Sequence, residues 1–103
     1  MIRHIVLLRF SPDLDAGVFE GFMGELSGLQ SHLDGILDFK FGVNVSPETA
    51  VVHGTGHGFW FDFDGVDARD AYLADPRHQA IGAKLVAACQ GGIEGITVFD
   101  VEL

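Results

Sequence analysis

The sequence predicts an α+β domain with helices on one face of a four-stranded antiparallel sheet. Two observations carry this. Apolar residues recur at period two in four separated segments, as strands require, and at steps of three and four in the segments between them. The segments run strand, helix, strand, strand, helix pair, strand, which is the split βαβ order.

Residues 2–10 read as the first strand. Ile2, His4, Val6, Leu8 and Phe10 point one way, and Arg3, Ile5, Leu7 and Arg9 the other. Ser11-Pro12-Asp13 has the form of a helix start: a capping hydroxyl, a proline at the first position, and an acid at the positive end. Leu14, Val18, Phe22, Leu26, Leu29 and Leu33 then line one helix face. Gly17, Gly21, Gly24 and Gly28 weaken that helix by up to ~1 kcal/mol each against alanine. The long stripe still specifies a helix, and Gly35 ends it.

Residues 36–45 alternate again, with Leu37, Phe39, Phe41 and Val43 against Asp38, Lys40, Gly42 and Asn44. A turn-rich loop follows from Ser46 to about Thr55. Residues 56–63 form the third strand, with His57, Phe59, Phe61 and Phe63 on one face and Gly58, Trp60 and Asp62 on the other. Val66–Ala74 is a short helix. Asp75 caps the next one, Pro76 suits its first position, and it runs to about Gln90 before Gly91-Gly92. Residues 95–102 make the last strand. The whole is a ferredoxin-like βαββαβ fold with one domain over residues 1–103.

The helices cover one sheet face only. The other carries Ile5, Leu7 and Trp60 among Arg3, Arg9, Lys40, Asn44 and Asp62, and the last strand adds Phe99 and Val101. A large aromatic contributes ~2–3 kcal/mol when buried, so Trp60 on a bare sheet is costly. A homodimer through this open face is expected, since a sheet face is of the order of a standard interface, about 1,600 Å² in total.

The chain carries 15 acids against 6 bases, a formal charge of −9. That excludes nucleic acid and anionic membrane as expected partners. No apolar run approaches the ~20 residues of a membrane span, and Met1–Leu8 is too short and too charged for a signal peptide. Cys89 stands alone, so no intramolecular disulfide forms and a reducing, cytoplasmic setting is expected. It reads as a small buried hydrophobe. No metal or other cofactor is expected. His53 and His57 are four apart, but in a glycine loop rather than on one helix face, and His32 and His53 read as solvated.

The chemical clue lies at Tyr72 to His78. His78 falls in the first turn of its helix, on a stripe with Ile81, Leu85 and Ala88. Two readings stand. One is a packed histidine that positions the helix. The other is a general base, with Tyr72 as its donor partner.

An ordered set of short motifs runs through the chain: Arg3-His4-Ile5-Val6-Leu7-Leu8-Arg9-Phe10, Gly42-Val43-Asn44-Val45-Ser46, His57-Gly58-Phe59, Tyr72-Leu73-Ala74-Asp75-Pro76-Arg77-His78 and Val98-Phe99-Asp100. In this order and spacing they resemble the stress-responsive A/B barrel domain family, whose members are dimeric α/β-barrel proteins. The resemblance implies a ferredoxin-like chain whose dimer closes a β-barrel. The family includes heat- and stress-induced plant proteins and a polyketide cyclase that works by aldol condensation. In that cyclase a tyrosine and a histidine sit between helices and sheet, which implies Tyr72 and His78 as catalytic candidates. The family's strand histidines match His4 and His57, and its late-strand aspartate matches Asp100. With Phe59 and Phe61 these are the candidate binding residues for a small, largely apolar organic ligand. The chain departs at Asp75, where the family often has histidine, and at Met23, Gly24, Ser27 and Gly28, which are small or generic for a polyketide pocket.

The topology makes the first and last strands antiparallel neighbours, so Asp100 lies near His4 if the two share a face. If Asp100 reached His78 instead, it would raise that histidine's pKa, and without it His78 stays neutral and fit to act as a base. The competing function is a non-catalytic stress-response or structural dimer.

Overall fold

The computed structural model describes residues 1–103. The order is β1 (Ile2–Leu8), α1 (Val18–Ser27), β2 (Ile36–Val43), β3 (His57–Phe63), α2 (Val66–Ala74), α3 (Pro76–Ala88) and β4 (Ile96–Glu102). The sheet is antiparallel throughout, in the order β2-β3-β1-β4. This is the ferredoxin-like α+β arrangement that the segment order predicts. The two strands with the densest apolar alternation, β1 and β3, take the centre.

Helices cover one face. Val6 and Leu8 of β1 and Phe59, Phe61 and Phe63 of β3 lie under Met23 and Leu26 of α1, Tyr72 of α2, and Ile81 and Leu85 of α3, all buried in one cluster. Burying each large apolar side chain contributes about 1.5–3 kcal/mol. No helix is long and apolar enough to cross a membrane.

Four local expectations are corrected. The first helix starts at Val18, not at Ser11. The Ser11 N–H is drawn to the end of α3, donating to the Ala88 carbonyl at 2.9 Å, and Gly17 at φ 90° turns the chain into α1. The buried set on α1 is accordingly Phe19, Met23 and Leu26, while Val18 and Phe22 are only partly covered.

The first strand ends at Leu8 rather than Phe10. Arg9 leaves the ladder to bond Gly95 and Gln90, and Phe10 packs on Phe19 and Phe22 instead. In β2, Ile36 pairs with Phe63 and Asp38 with Asp62, so Leu37 is the extra residue of a bulge. Leu37 therefore leaves the core face, at 58% exposed, and Ile36 takes its place against the core. Phe41 and Val43 do face the helix side, but β2 is an edge strand and α1 leaves its far end uncovered, so both stay exposed.

The open face holds Arg3, Ile5 and Leu7 of β1, Trp60 of β3, and Thr97, Phe99 and Val101 of β4, with the β4 residues directly opposite those of β1. Asp62 is buried here because Arg3 grips it with Nε at 2.8 Å and Nη2 at 3.0 Å while lying over Trp60. The β2–β3 loop bends beside this face and bounds a cavity of about 760 Å³ with Ile5, Leu7, Gly58 and Trp60. Asn44 holds the base of the loop: its side chain donates to the Thr55 carbonyl at 2.8 Å and accepts from the Ser46 N–H at 2.8 Å.

Gly35 makes the turn from α1 into β2 at φ +83°, and its carbonyl accepts from the Asp64 N–H at 2.8 Å. A Cβ there would stand 2.6 Å from Cβ of Ala68 on α2. Gly35→Ala is expected to lower stability by about 1–3 kcal/mol, from positive-φ strain plus the clash. Urea unfolding checks this, and an unchanged midpoint would mean that α2 shifts freely.

Candidate functional site

The site is assembled from α2, α3, β1 and β4. Asp75 ends α2 and caps α3: its Oδ1 accepts from the backbone N–H of Arg77 at 2.9 Å and of His78 at 3.1 Å. Pro76 follows at the first helical position, where no N–H is needed. His32, in the turn after α1, meets Asp75 Oδ2 through Nε2 at 2.8 Å, so the cap also ties α1's end to α3's start. Burial alone would raise the Asp75 carboxyl. The hydrogen bonds from His32 and the two backbone N–H groups outweigh it and hold the pKa below the ordinary value.

This cap fixes His78 against Tyr72. Their ring centres are 3.9 Å apart at 35°. Tyr72 is 1% exposed and also touches Phe61 and Phe63, so it joins α2 to the sheet. Burial raises its phenol pKa, which keeps the O–H protonated. On its other side Tyr72 meets the buried His4 ring edge-on, at 5.6 Å.

The strand register settles which histidine Asp100 serves. His4 and Asp100 are cross-strand partners, and Nδ1 of His4 meets Asp100 Oδ1 at 2.6 Å. The other carboxylate oxygen accepts from Nη1 of Arg69 on α2 at 2.9 Å. Asp100 thus pairs with His4 and Arg69. His78 keeps a buried Nδ1 with no hydrogen-bond partner. Burial, and then the nearby His4, hold its pKa below 6.5. A neutral imidazole with an unpartnered nitrogen is chemically able to accept a proton.

His78, Tyr72, His4, Asp100 and the underlying Phe61 are therefore brought together. His57 is not: it pairs with Leu8 at the far end of β1, and its ring packs on Phe19 at 4.5 Å. Phe59 lies in the core between these ends. Arg69 is the residue sequence reasoning missed. A usable signal existed, since it is the only cation of α2 and lies three residues before Tyr72 on the same helix side. A cleft of about 310 Å³ opens between α1 and α3 over Leu29 and Ile81, with Arg77 and Lys84 among its lining residues. Neither this cleft nor the cavity on the open face is lined by Tyr72 or His78. No three His, Cys, Asp or Glu side chains converge as a metal site would need.

The lowered pKa of His78 has a consequence for stability. The folded chain binds this proton more weakly than the unfolded chain does. Its contribution is complete above about pH 6.5 and is lost as the pH falls from there through the lowered value. His78→Phe is expected to flatten that part of the profile. Denaturant midpoints for both proteins between about pH 7 and pH 5 test this, and parallel profiles would show that His78 titrates normally.

The Stress responsive A/B Barrel Domain family matches residues 2–103. No curated protein matches the chain. Among solved structures, a dimeric ferredoxin-like protein of unknown function from Jannaschia sp. CCS1 is 33% identical, covering 99% of this chain and 98% of its own, with a TM-score of 0.86. A hydroxynitrile lyase from Passiflora edulis is 20% identical over 99% of this chain and 92% of its own, with a TM-score of 0.83. A dimeric ferredoxin-like protein from Thermobifida fusca YX is 22% identical over 99% and 90%, with a TM-score of 0.78. The family match spans essentially the whole chain and agrees with the β-sheet register and helix order described above: the chain belongs to the stress responsive A/B barrel domain family.

Proposed function

We propose that the chain pairs with a second copy through its open sheet face and binds a small, largely apolar organic molecule beside Tyr72 and His78. The observation that carries the site is the 3.9 Å contact between those rings, with the buried Nδ1 of His78 left unpartnered. The pairing is supported by Phe99 at 59% exposed beside Ile5 and Trp60, and by relatives described as dimeric. The lone buried thiol, Cys89, suits a reducing cytoplasmic setting.

In this reading His78 takes a proton from a carbon next to a carbonyl. The C–H electron pair moves into an enolate, and the Tyr72 O–H donates to the oxyanion that forms. His4, held by Asp100, supports Tyr72 from the other side. That the Passiflora edulis hydroxynitrile lyase has this fold supports reading the site as an enzyme's. A second reading is a non-catalytic stress-response or structural dimer. It is favoured by the 1% exposure of Tyr72 and by the two cavities that bypass it.

Native mass spectrometry of protein taken gently from its own cells tests both. A dimer carrying a small organic mass is expected, and Trp60→Glu should shift it to monomer. His78→Ala should remain dimeric yet lose turnover of the identified compound. A wild-type monomer would overturn the dimer. An unliganded dimer in which His78→Ala alters only stability would establish the second reading.

A further inference from the structure

We propose that Arg69 is a positioning residue for this site: by holding one oxygen of Asp100 it keeps the other on Nδ1 of His4 and so fixes the His4 ring against Tyr72. The proposal rests on the reading of Tyr72 and His78 as the working pair.

Asp100 lies on β4, an edge strand, with its side chain 26% exposed. A carboxylate there is free to swing into water unless something holds it. Arg69 supplies the hold from α2. Its Nη1 donates to Asp100 Oδ2 at 2.9 Å, and its Nε donates to Asp70 Oδ1 at 2.9 Å, which braces the guanidinium. The remaining oxygen, Oδ1, lies 2.6 Å from His4 Nδ1. An arginine-paired carboxylate stays ionised and only accepts, so Nδ1 of His4 must carry the hydrogen. In the Nδ1–H tautomer the bare nitrogen is Nε2, on the opposite side of the ring.

The groups that face His4 are Asp100 from β4, Arg69 and Tyr72 from α2, and His78 from α3, with Asp70 behind Arg69. From β3 it meets the apolar ring of Phe63, while Asp62 is held by Arg3 and lies on the open face.

Histidine-selective ¹⁵N NMR at alkaline pH tests the proposal without any substrate. The wild type should show His4 as the Nδ1–H tautomer. Arg69→Gln should turn part of the His4 signal to the Nε2–H tautomer. Arg69→Lys still donates to Asp100 and should keep the wild-type tautomer. In an Asp100→Asn background Arg69→Gln should add no further change, since the shared carboxylate is gone. A His4 tautomer that ignores Arg69→Gln, or that changes equally in Arg69→Lys, overturns the proposal. A protein without turnover would defeat the enzymatic reading and leave these spectra as they stand.

Discussion

The register of β1 against its two neighbours is the constraint on which the rest depends. β1 lies between β3 and β4, so one strand fixes two alignments at once. It sets Val6 beside Phe59 and His4 beside Phe61 on one flank, and His4 beside Asp100 on the other. A slip of one residue on either side would turn His4 to the open face and bring Arg3 or Ile5 into the core. The large apolar rings of β3 forbid that slip, because their burial under the helices contributes several times what any single polar contact does. The polar cluster is thus held in place by the apolar register around it.

Within that frame the buried polar groups are arranged so that few are left unpaired. Asp62 and His4 are the buried polar residues, and both have close partners, Arg3 and Asp100 respectively. In a chain with a formal charge of −9, cations are scarce. Three of the six sit on specific carboxylates: Arg3 on Asp62, Arg69 on Asp70 and Asp100, and Lys84 on Glu25. The Lys84–Glu25 pair is exposed and contributes little to stability. The pairs at Asp62 and Asp100 flank the central strand on opposite faces of the sheet, where partial burial makes each geometry more specific. Arg9 and His78 are the exceptions, each with one buried nitrogen unmatched, Nε and Nδ1 respectively. An unsatisfied buried polar atom costs stability, and such a cost is commonly found at functional positions.

Features that depend on residues a few positions apart are legible in the sequence. The Asp75-Pro76 cap, the placement of His78 in the first turn, and the alternation of Phe59, Phe61 and Phe63 are all of this kind. Departures from the local pattern have tertiary causes. Ser11-Pro12-Asp13 has good helix-start chemistry, but the Ser11 N–H is taken by the Ala88 carbonyl, 77 positions later. Leu37 fits the alternation, yet the bulge that lets β2 match β3 expels it. Phe41 has the right parity and still stays exposed, because coverage of that end of β2 depends on where α1 begins.

The sequence by itself determined the order of elements, the two faces of the sheet, the cap before His78 and the family pattern. Those follow from periodicity and turn chemistry, which are written in neighbouring residues. The tertiary structure decided that Asp100 serves His4, that Arg69 shares it, and that His57 stands apart at the far end of the strand. Residues 96 positions apart meet only once every strand has taken its register, and that register is a property of the whole packed sheet.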